Sequence, residues 1–294
     1  MPLLSIIIPV YNSENTIGRT LDSLERMSFE SRALTEVVVV DDGSNDRSME
    51  FVESKKEGLS PLNIISVRQE NMGSGAARNT GLHHSRGEWI FFLDADDELA
   101  SDPVPSIRQS PDATALGYSV MLYKDLKFQR KRRPVPITMK NHFNVFTAGN
   151  ANMVSSIIFK KNKVCSFFDA GFRYMEDWLF WIMNPLIFEK MELFTDKFSA
   201  LIHVHGGNKS ADYAMNGRYK KKLADKILAE SGRILTRKQK NNLLIHSQIG
   251  RILQGEKISF RALLLFPCNG VLYGKLIIYS ILRTNFTKFD IYGS

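Results

Sequence analysis

Trp89-Ile90-Phe91-Phe92-Leu93-Asp94-Ala95-Asp96-Asp97 sets the frame for the rest of the chain. Five apolar residues in a row, with no polar alternation, describe a short strand buried on both faces, as in a parallel sheet. The strand ends on three carboxylates within four residues. Repelling carboxylates are costly unless a cation or hydrogen-bond donors compensate them. Mg²⁺ and Mn²⁺ favour oxygen ligands and commonly bridge one or two protein carboxylates to a substrate diphosphate. A solvated acidic loop is the plain alternative, and the buried strand in front of the turn weighs against it.

The same pattern recurs toward the N-terminus. Leu3 to Val10 is a nearly unbroken apolar run, Val37 to Val40 is a second buried strand and Asn63 to Val67 a third strand. Between them Ser13 is placed to cap a helix whose buried stripe is Ile17, Leu21 and Leu24. A short helix through Met49 and Val52 follows the second run, and Gly73-Ser74-Gly75-Ala76-Ala77 opens a helix running toward His84. Strands alternating with helices predict an α/β fold, a doubly wound, mostly parallel sheet flanked by helices. Ligands of such sheets sit at the carboxyl ends of the strands. Asp41-Asp42-Gly43-Ser44 closes the second run as Asp94 to Asp97 closes the fourth, so two acidic turns form one pocket rim. Asn71 to Asn79 resembles a phosphate-cradling loop at a helix N-terminus, although it lacks the Gly-Lys-Ser/Thr ending of a P-loop. Tight packing of a small-residue helix on the sheet explains it equally well.

Beyond Asp97, Pro103, Pro105 and Pro111 argue against a long helix before Ala115. Ala115 to Tyr123, Leu126 to Gln129 and Met153 to Phe159 read as strands, and Arg130 to Pro136 as an exposed loop. Phe167 to Met183 is aromatic-rich and partly helical. Within it Glu176-Asp177-Trp178 sets carboxylates beside aromatics, where a raised pKa would suit a general base. A solvated helix start is the alternative. His203 and His205 alternate on a strand and face one side. Tyr219 to Leu253 is helical, with Leu223, Ile227, Ile234, Ile249 and Leu253 as its buried positions.

Charge divides the chain. Residues 216–294 carry 15 Lys and Arg against 4 Asp and Glu, whereas residues 1–215 hold a net −3 of the overall +8. The basic segment is also rich in Leu, Ile, Phe and Tyr, which fits an anionic membrane surface better than nucleic acid. Phe260 to Phe266 and Val271 to Leu282, interleaved with Lys257, Arg261, Lys275 and Arg283, carry that reading. The N-terminus lacks the basic region and cleavage site of a secretory signal. No uncharged apolar run reaches the ~18–20 residues of a membrane span, which implies a cytoplasmic catalytic face. Cys165 and Cys268 match no metal spacing and read as reduced, packed thiols.

Taken in order, SIIIPVYN, VVVVDDGSND, NMGSGAARNTGL, GEWIFFLDADD, FDAGFRYMEDWLFW and LIHVHGGNKS resemble a family 2 glycosyltransferase of the GT-A fold, over about the first 210 residues. The resemblance implies inverting transfer of a sugar from a nucleoside diphosphate carrier, usually a UDP-sugar and usually with Mn²⁺ or Mg²⁺, to an acceptor hydroxyl. It implies a GT-A domain over 1–215, with a nucleotide-sugar half (1–99) and an acceptor-side half (100–215). A basic helical C-terminal region (216–294) follows. The acceptor would be a lipid-linked or cell-surface glycan such as a polysaccharide or lipopolysaccharide core. Attachment would be peripheral, on the cytoplasmic face of the inner membrane.

Carried onto this sequence, the resemblance has Pro9 and Tyr11 line the base pocket with Glu14 close by. Asp41 recognises base or ribose with Arg78 beside it, and Asp94 faces ribose or diphosphate. Asp96 binds the metal, Asp97 adjoins it, and His205 lies near metal and diphosphate with His203 as its alternative. Asp177 takes the position of the catalytic base, with Glu176 and Trp178 on the acceptor side. Phe172, Trp178 and Trp181 are candidates to stack on sugar rings. A non-catalytic glycosyltransferase-like subunit is the competing reading. A nucleotidyltransferase or a dehydrogenase would need a glycine-rich loop directly after the first strand, where the chain has Pro9-Val10-Tyr11-Asn12.

Overall fold

Four parallel strands, β1 (Leu4–Val10), β2 (Thr35–Asp41), β3 (Asn63–Arg68) and β4 (Trp89–Phe92), lie in the order β3-β2-β1-β4 in the computed structural model, which describes residues 1–204 and 213–254. Ile6, Ile7 and Ile8 and Val37 to Val40 are wholly buried, as unbroken apolar runs require. Four helices connect these strands: α1 (Ile17–Asp22), α2 (Phe29–Ala33), α3 (Ser48–Lys55) and α4 (Ser74–His84). On one face Ile6, Ile8 and Val10 form a core with Ile17, Leu21, Leu24 and Val52. On the other, α4 packs on β1 and β2. That approach is close: a Cβ on Gly81 would fall 2.2 Å from Ile7 Cγ2.

The second half extends the same sheet with β5 (Glu98–Leu99), β6 (Ala115–Lys124), β7 (Lys127–Arg132), β8 (Ile157–Lys160) and β9 (Met191–Val204), in the full order β3-β2-β1-β4-β8-β6-β9-β5. β7 pairs with β6 off this path. β8 is antiparallel to both β4 and β6, so β6 runs parallel to β4, and β9 is parallel to β6. The carboxyl ends of β1 to β4, β6 and β9 therefore share one edge of the sheet. α5 (Val104–Gln109) is short, as its prolines require. Between α6 (His142–Ala148) and β9 lies α7 (Glu176–Met183), held by an aromatic core in which Phe168 stacks on Phe180 at 4.2 Å and Phe92 meets both rings edge-on.

The chain forms two compact units. One comprises residues 1–142 and 151–204 and holds the sheet; among the described residues the other comprises 143–150 and 213–254. In the second, α8 (Tyr213–Ser231) packs with α9 (Arg237–Leu253), and Leu223, Ala224, Ile227, Leu243, Ile245 and Ile249 are buried.

Several local expectations are corrected. Ser13 does not cap α1, which starts at Ile17 without a side-chain cap; the Ser13 hydroxyl donates to the Tyr11 carbonyl instead. Arg130 to Arg132 is strand rather than loop, because β7 is an edge strand paired with β6 and needs no apolar face. Only Ile157 onward is strand in the Met153–Phe159 run, and Val154–Ser156 is a 3₁₀ turn. Ile234 is 71% exposed, since it lies between α8 and α9 rather than on either helix. Cys165 is exposed rather than packed. Cys268 and the apolar-basic segment from Lys257 onward lie outside the described residues.

Candidate active site

β1 has β2 on one side and β4 on the other, so the chain order reverses there and a crevice opens at the strand ends. Val10 is in register with Asp41, and Asp41 with Arg68. Asp41 is fully buried; its Oδ1 accepts a bond from the Ser44 amide at 2.8 Å, and Arg68 Nη1 lies 3.2 Å from its Oδ2. The cation beside Asp41 is thus Arg68 rather than Arg78. Arg68 escaped the sequence reading, although its place at the end of the third strand was the available signal. Asp42 serves the loop: it accepts bonds from Gln69 Nε2 and the amides of Met72 and Gly73, all at 2.8–2.9 Å. Gly73, at φ +96°, takes the left-handed turn that starts α4.

Tyr11 is exposed just past β1, and Pro9 is half-buried within it. Glu14 faces Asp46 and Arg47: its amide donates to Asp46 Oδ2, and its carboxylate accepts from the Arg47 amide at 3.2 Å.

α4 delivers the central cation. Arg78 is 4% exposed, yet its guanidinium spans two other elements: Nη2 lies 2.6 Å from Asp94 Oδ1, and Nη1 lies 3.0 Å from Glu176 Oε1 at the start of α7. Ser74, in the first turn of α4, donates to the same Glu176 oxygen at 2.6 Å. The guanidinium also sits over the rings of Phe92 and Phe168, 6.0 and 5.6 Å from their centroids. Burial alone would lower the pKa of Arg78. The charges of Asp94 and Glu176, and then of Asp177, outweigh it and raise the value, so the group is a fixed cation.

The turn after β4 divides its carboxylates. Asp94 and Asp96 are partly exposed, whereas Asp97 is buried and accepts a bond from the His203 amide at 3.0 Å. Burial first, and then the charges of Asp96 and Asp94, push the Asp97 pKa well above the usual aspartate value. α1 holds the turn from behind: Thr20 Oγ1 donates to the Ala95 carbonyl at 2.9 Å, and Arg19 Nη2 to the Asp96 carbonyl at 2.8 Å. His203 Nε2 pairs with Glu98 Oε1 at 2.8 Å, and Glu98 also pairs with Arg26. His205 lies outside the described residues. Among the described residues no three His, Cys, Asp or Glu side chains cluster as metal ligands. A magnesium or manganese ion that keeps diphosphate and water oxygens needs only one or two carboxylates, and Asp94 and Asp96 supply that donor chemistry.

Asp177, in the first turn of α7, is partly exposed, and its Oδ1 accepts the bond of the Trp178 amide at 2.8 Å. Met175, the residue that precedes α7, is left-handed at φ +58°. Glu176 turns inward to Arg78 and Ser74. Phe172, Trp178 and Trp181 are all buried, so protein covers the ring faces considered for sugar stacking.

Residues 5–175 match the family model described as Glycosyl transferase family 2. The chain belongs to this family. Among its relatives, the minor teichoic acid biosynthesis protein GgaA of Bacillus subtilis is 40% identical over 107 residues, 36% of this chain and 24% of that protein. The poly(ribitol-phosphate) beta-N-acetylglucosaminyltransferase TarS of Staphylococcus aureus is 26% identical over 203 residues, 67% of this chain and 35% of that protein. The aligned part makes up only 14% to 39% of the first curated relatives. The crystal structure of S. aureus TarS 1–349 in complex with UDP-GlcNAc superimposes with a TM-score of 0.63 at 21% identity, covering 95% of this chain and 82% of that one. The mannosyltransferase PcManGT of Pyrobaculum calidifontis, in complex with GDP-Man and Mn²⁺, does so with a TM-score of 0.61 at 17% identity, covering 98% and 88%. These likenesses establish the GT-A fold. Among the described residues no helix is long and apolar enough to cross a membrane.

Proposed function

We propose that this family 2 protein transfers a sugar from a nucleoside diphosphate carrier, most simply a UDP-sugar, to a hydroxyl of a cell-surface or lipid-linked glycan. One observation carries the reading: buried Arg78 ties Asp94, on the turn that would face the donor, to Glu176, immediately before Asp177. Donor and acceptor carboxylates are thereby held in one network by a buried cation.

In the proposed reaction the Asp177 carboxylate takes the proton of the acceptor hydroxyl as that oxygen attacks the anomeric carbon. The new glycosidic bond forms as the bond to the diphosphate oxygen breaks on the opposite face, and the electron pair leaves with the nucleoside diphosphate. Asp41 and Arg68, with Tyr11 and Pro9, hold the nucleoside. Asp94 orients the ribose or diphosphate. Asp96, with His205, would hold Mn²⁺ or Mg²⁺, which when bound neutralises charge on the leaving diphosphate. The neighbour bound to GDP-Man and Mn²⁺ supports a divalent cation, and the one bound to UDP-GlcNAc supports a nucleotide sugar. The names of TarS and GgaA, which refer to poly(ribitol-phosphate) and teichoic acid, favour a surface polymer as acceptor. The basic segment 216–294 is assigned to peripheral attachment at the cytoplasmic face of the membrane.

The test is a donor screen. UDP-, GDP- and dTDP-sugars are offered with Mn²⁺, and released nucleoside diphosphate is followed beside an Asp96→Ala control. Hydrolysis of one donor, lost in the control, supports the assignment. Absence of both hydrolysis and calorimetric binding across the panel would overturn it in favour of a non-catalytic subunit.

A further inference from the structure

The segment Lys124-Asp125-Leu126-Lys127-Phe128-Gln129-Arg130-Lys131-Arg132-Arg133 holds six cations and one carboxylate, and nothing in the proposed reaction uses it. It is a hairpin. Lys124 at the end of β6 faces Lys127 at the start of β7, which leaves a two-residue turn of Asp125 (φ +49°) and Leu126 (φ +60°). Such turns favour Asn or Gly, because a bulky side chain at positive φ is strained. Here the strained position carries an aliphatic side chain that is 74% exposed, and Phe128, two residues on, is 55% exposed. Lys127 to Lys131 are exposed on both faces of the strand.

We propose that this hairpin docks on an anionic lipid bilayer, with Leu126 and Phe128 entering the headgroup–acyl boundary and the surrounding lysines and arginines meeting lipid phosphates. The cations alone would suit any polyanion. Two apolar side chains displayed among them fit a bilayer interface, which takes apolar groups and cations side by side. The hairpin leaves the sheet at the carboxyl end of β6, with Lys124 and Tyr123 in register with Val204 and His203 of β9. That is the sheet edge bearing Asp41, Asp94 and Asp96. A bilayer held there lies beside the reaction edge, where a lipid-linked acceptor would be presented. Only this last consequence rests on the proposed transfer; the lipid contact does not.

The experiment uses the full chain. All three native tryptophans, Trp89, Trp178 and Trp181, are buried, so a Phe128→Trp variant adds one exposed reporter at the hairpin. Vesicles of phosphatidylcholine with and without phosphatidylglycerol are added, and quenching by brominated acyl chains is read. The expected result is a blue shift and quenching on anionic vesicles alone. In an otherwise native background, Lys124→Gln/Lys127→Gln/Arg130→Gln should lower vesicle partitioning about a hundredfold, at roughly fivefold per cation, while vesicle-free donor hydrolysis stays unchanged. Reporter emission that does not move on vesicles that sediment with the protein overturns the proposal and leaves attachment to other segments. Retention on soluble polyphosphate without quenching by any vesicle also overturns it, in favour of a polyanion. Both readouts stand whether or not a sugar donor is ever found.

Discussion

Arg78 reaches from α4 to Glu176 on α7 with a 3.0 Å contact between Nη1 and Oε1, and both side chains are removed from solvent. Breaking a buried pair on one side leaves an uncompensated charge, which costs about 3–5 kcal/mol. Arg78→Met should therefore lower the unfolding free energy by that order, read as a lower urea midpoint at unchanged slope. Adding Glu176→Gln should recover part of the loss, and Arg78→Lys should fall between, because an ammonium cannot span both carboxylates. Equal midpoints for the wild type and Arg78→Met would remove the network as a structural element.

Asp177→Asn should keep nucleoside diphosphate affinity within about twofold and lower transfer by about 10²–10⁴, the usual contribution of a general base. Calorimetry with the diphosphate and initial rates with donor and acceptor separate the two effects. Unchanged turnover would take Asp177 out of the reaction.

Glu36 is 1% exposed at the opposite end of the sheet and accepts bonds from Ser5 Oγ at 2.6 Å and from the Arg86 amide and Nε. Burial raises its pKa, but these bonds and the Arg86 charge together bring it below the ordinary 4.5. The stabilisation is thus present above pH 4.5 and is lost as pH falls through the depressed value. Glu36→Gln should cost about 1–3 kcal/mol near pH 7. Its urea midpoint should converge on that of the wild type in acid.

Gly81→Ala would drive a methyl group into Ile7 and lift α4 from β1. Overpacking of this kind costs about 1–3 kcal/mol. Because α4 carries Arg78, transfer should fall along with stability. Ile7→Ala removes the clashing methyl, so the double variant should be more stable than the two single losses sum to, as a denaturation cycle would show.

The first half of the fold was legible because β1, β2 and β4 are buried on both faces, which leaves apolar runs that mean little else. Asp41, Asp94 and Asp96 were visible for the same reason, as polar residues where such runs stop. Partnerships were not. That Arg68 rather than Arg78 meets Asp41 follows from the register of β2 with β3, and that Arg78 meets Glu176 closes a gap of 98 residues. β7 was missed because an exposed edge strand of lysine and arginine has no alternation to detect. The buried placement of Trp181 depends on the aromatic block around Phe180, which local pattern does not reveal.

Five carboxylates crowd the two acidic turns, but they do not present five charges to an incoming molecule. Asp41 is paired with Arg68, Asp97 is turned inward and pushed toward its neutral form, and Asp94 shares its charge with Arg78. The mouth of the crevice is therefore far less negative than its composition. A polyanionic ligand approaching it meets less repulsion than five free carboxylates would exert.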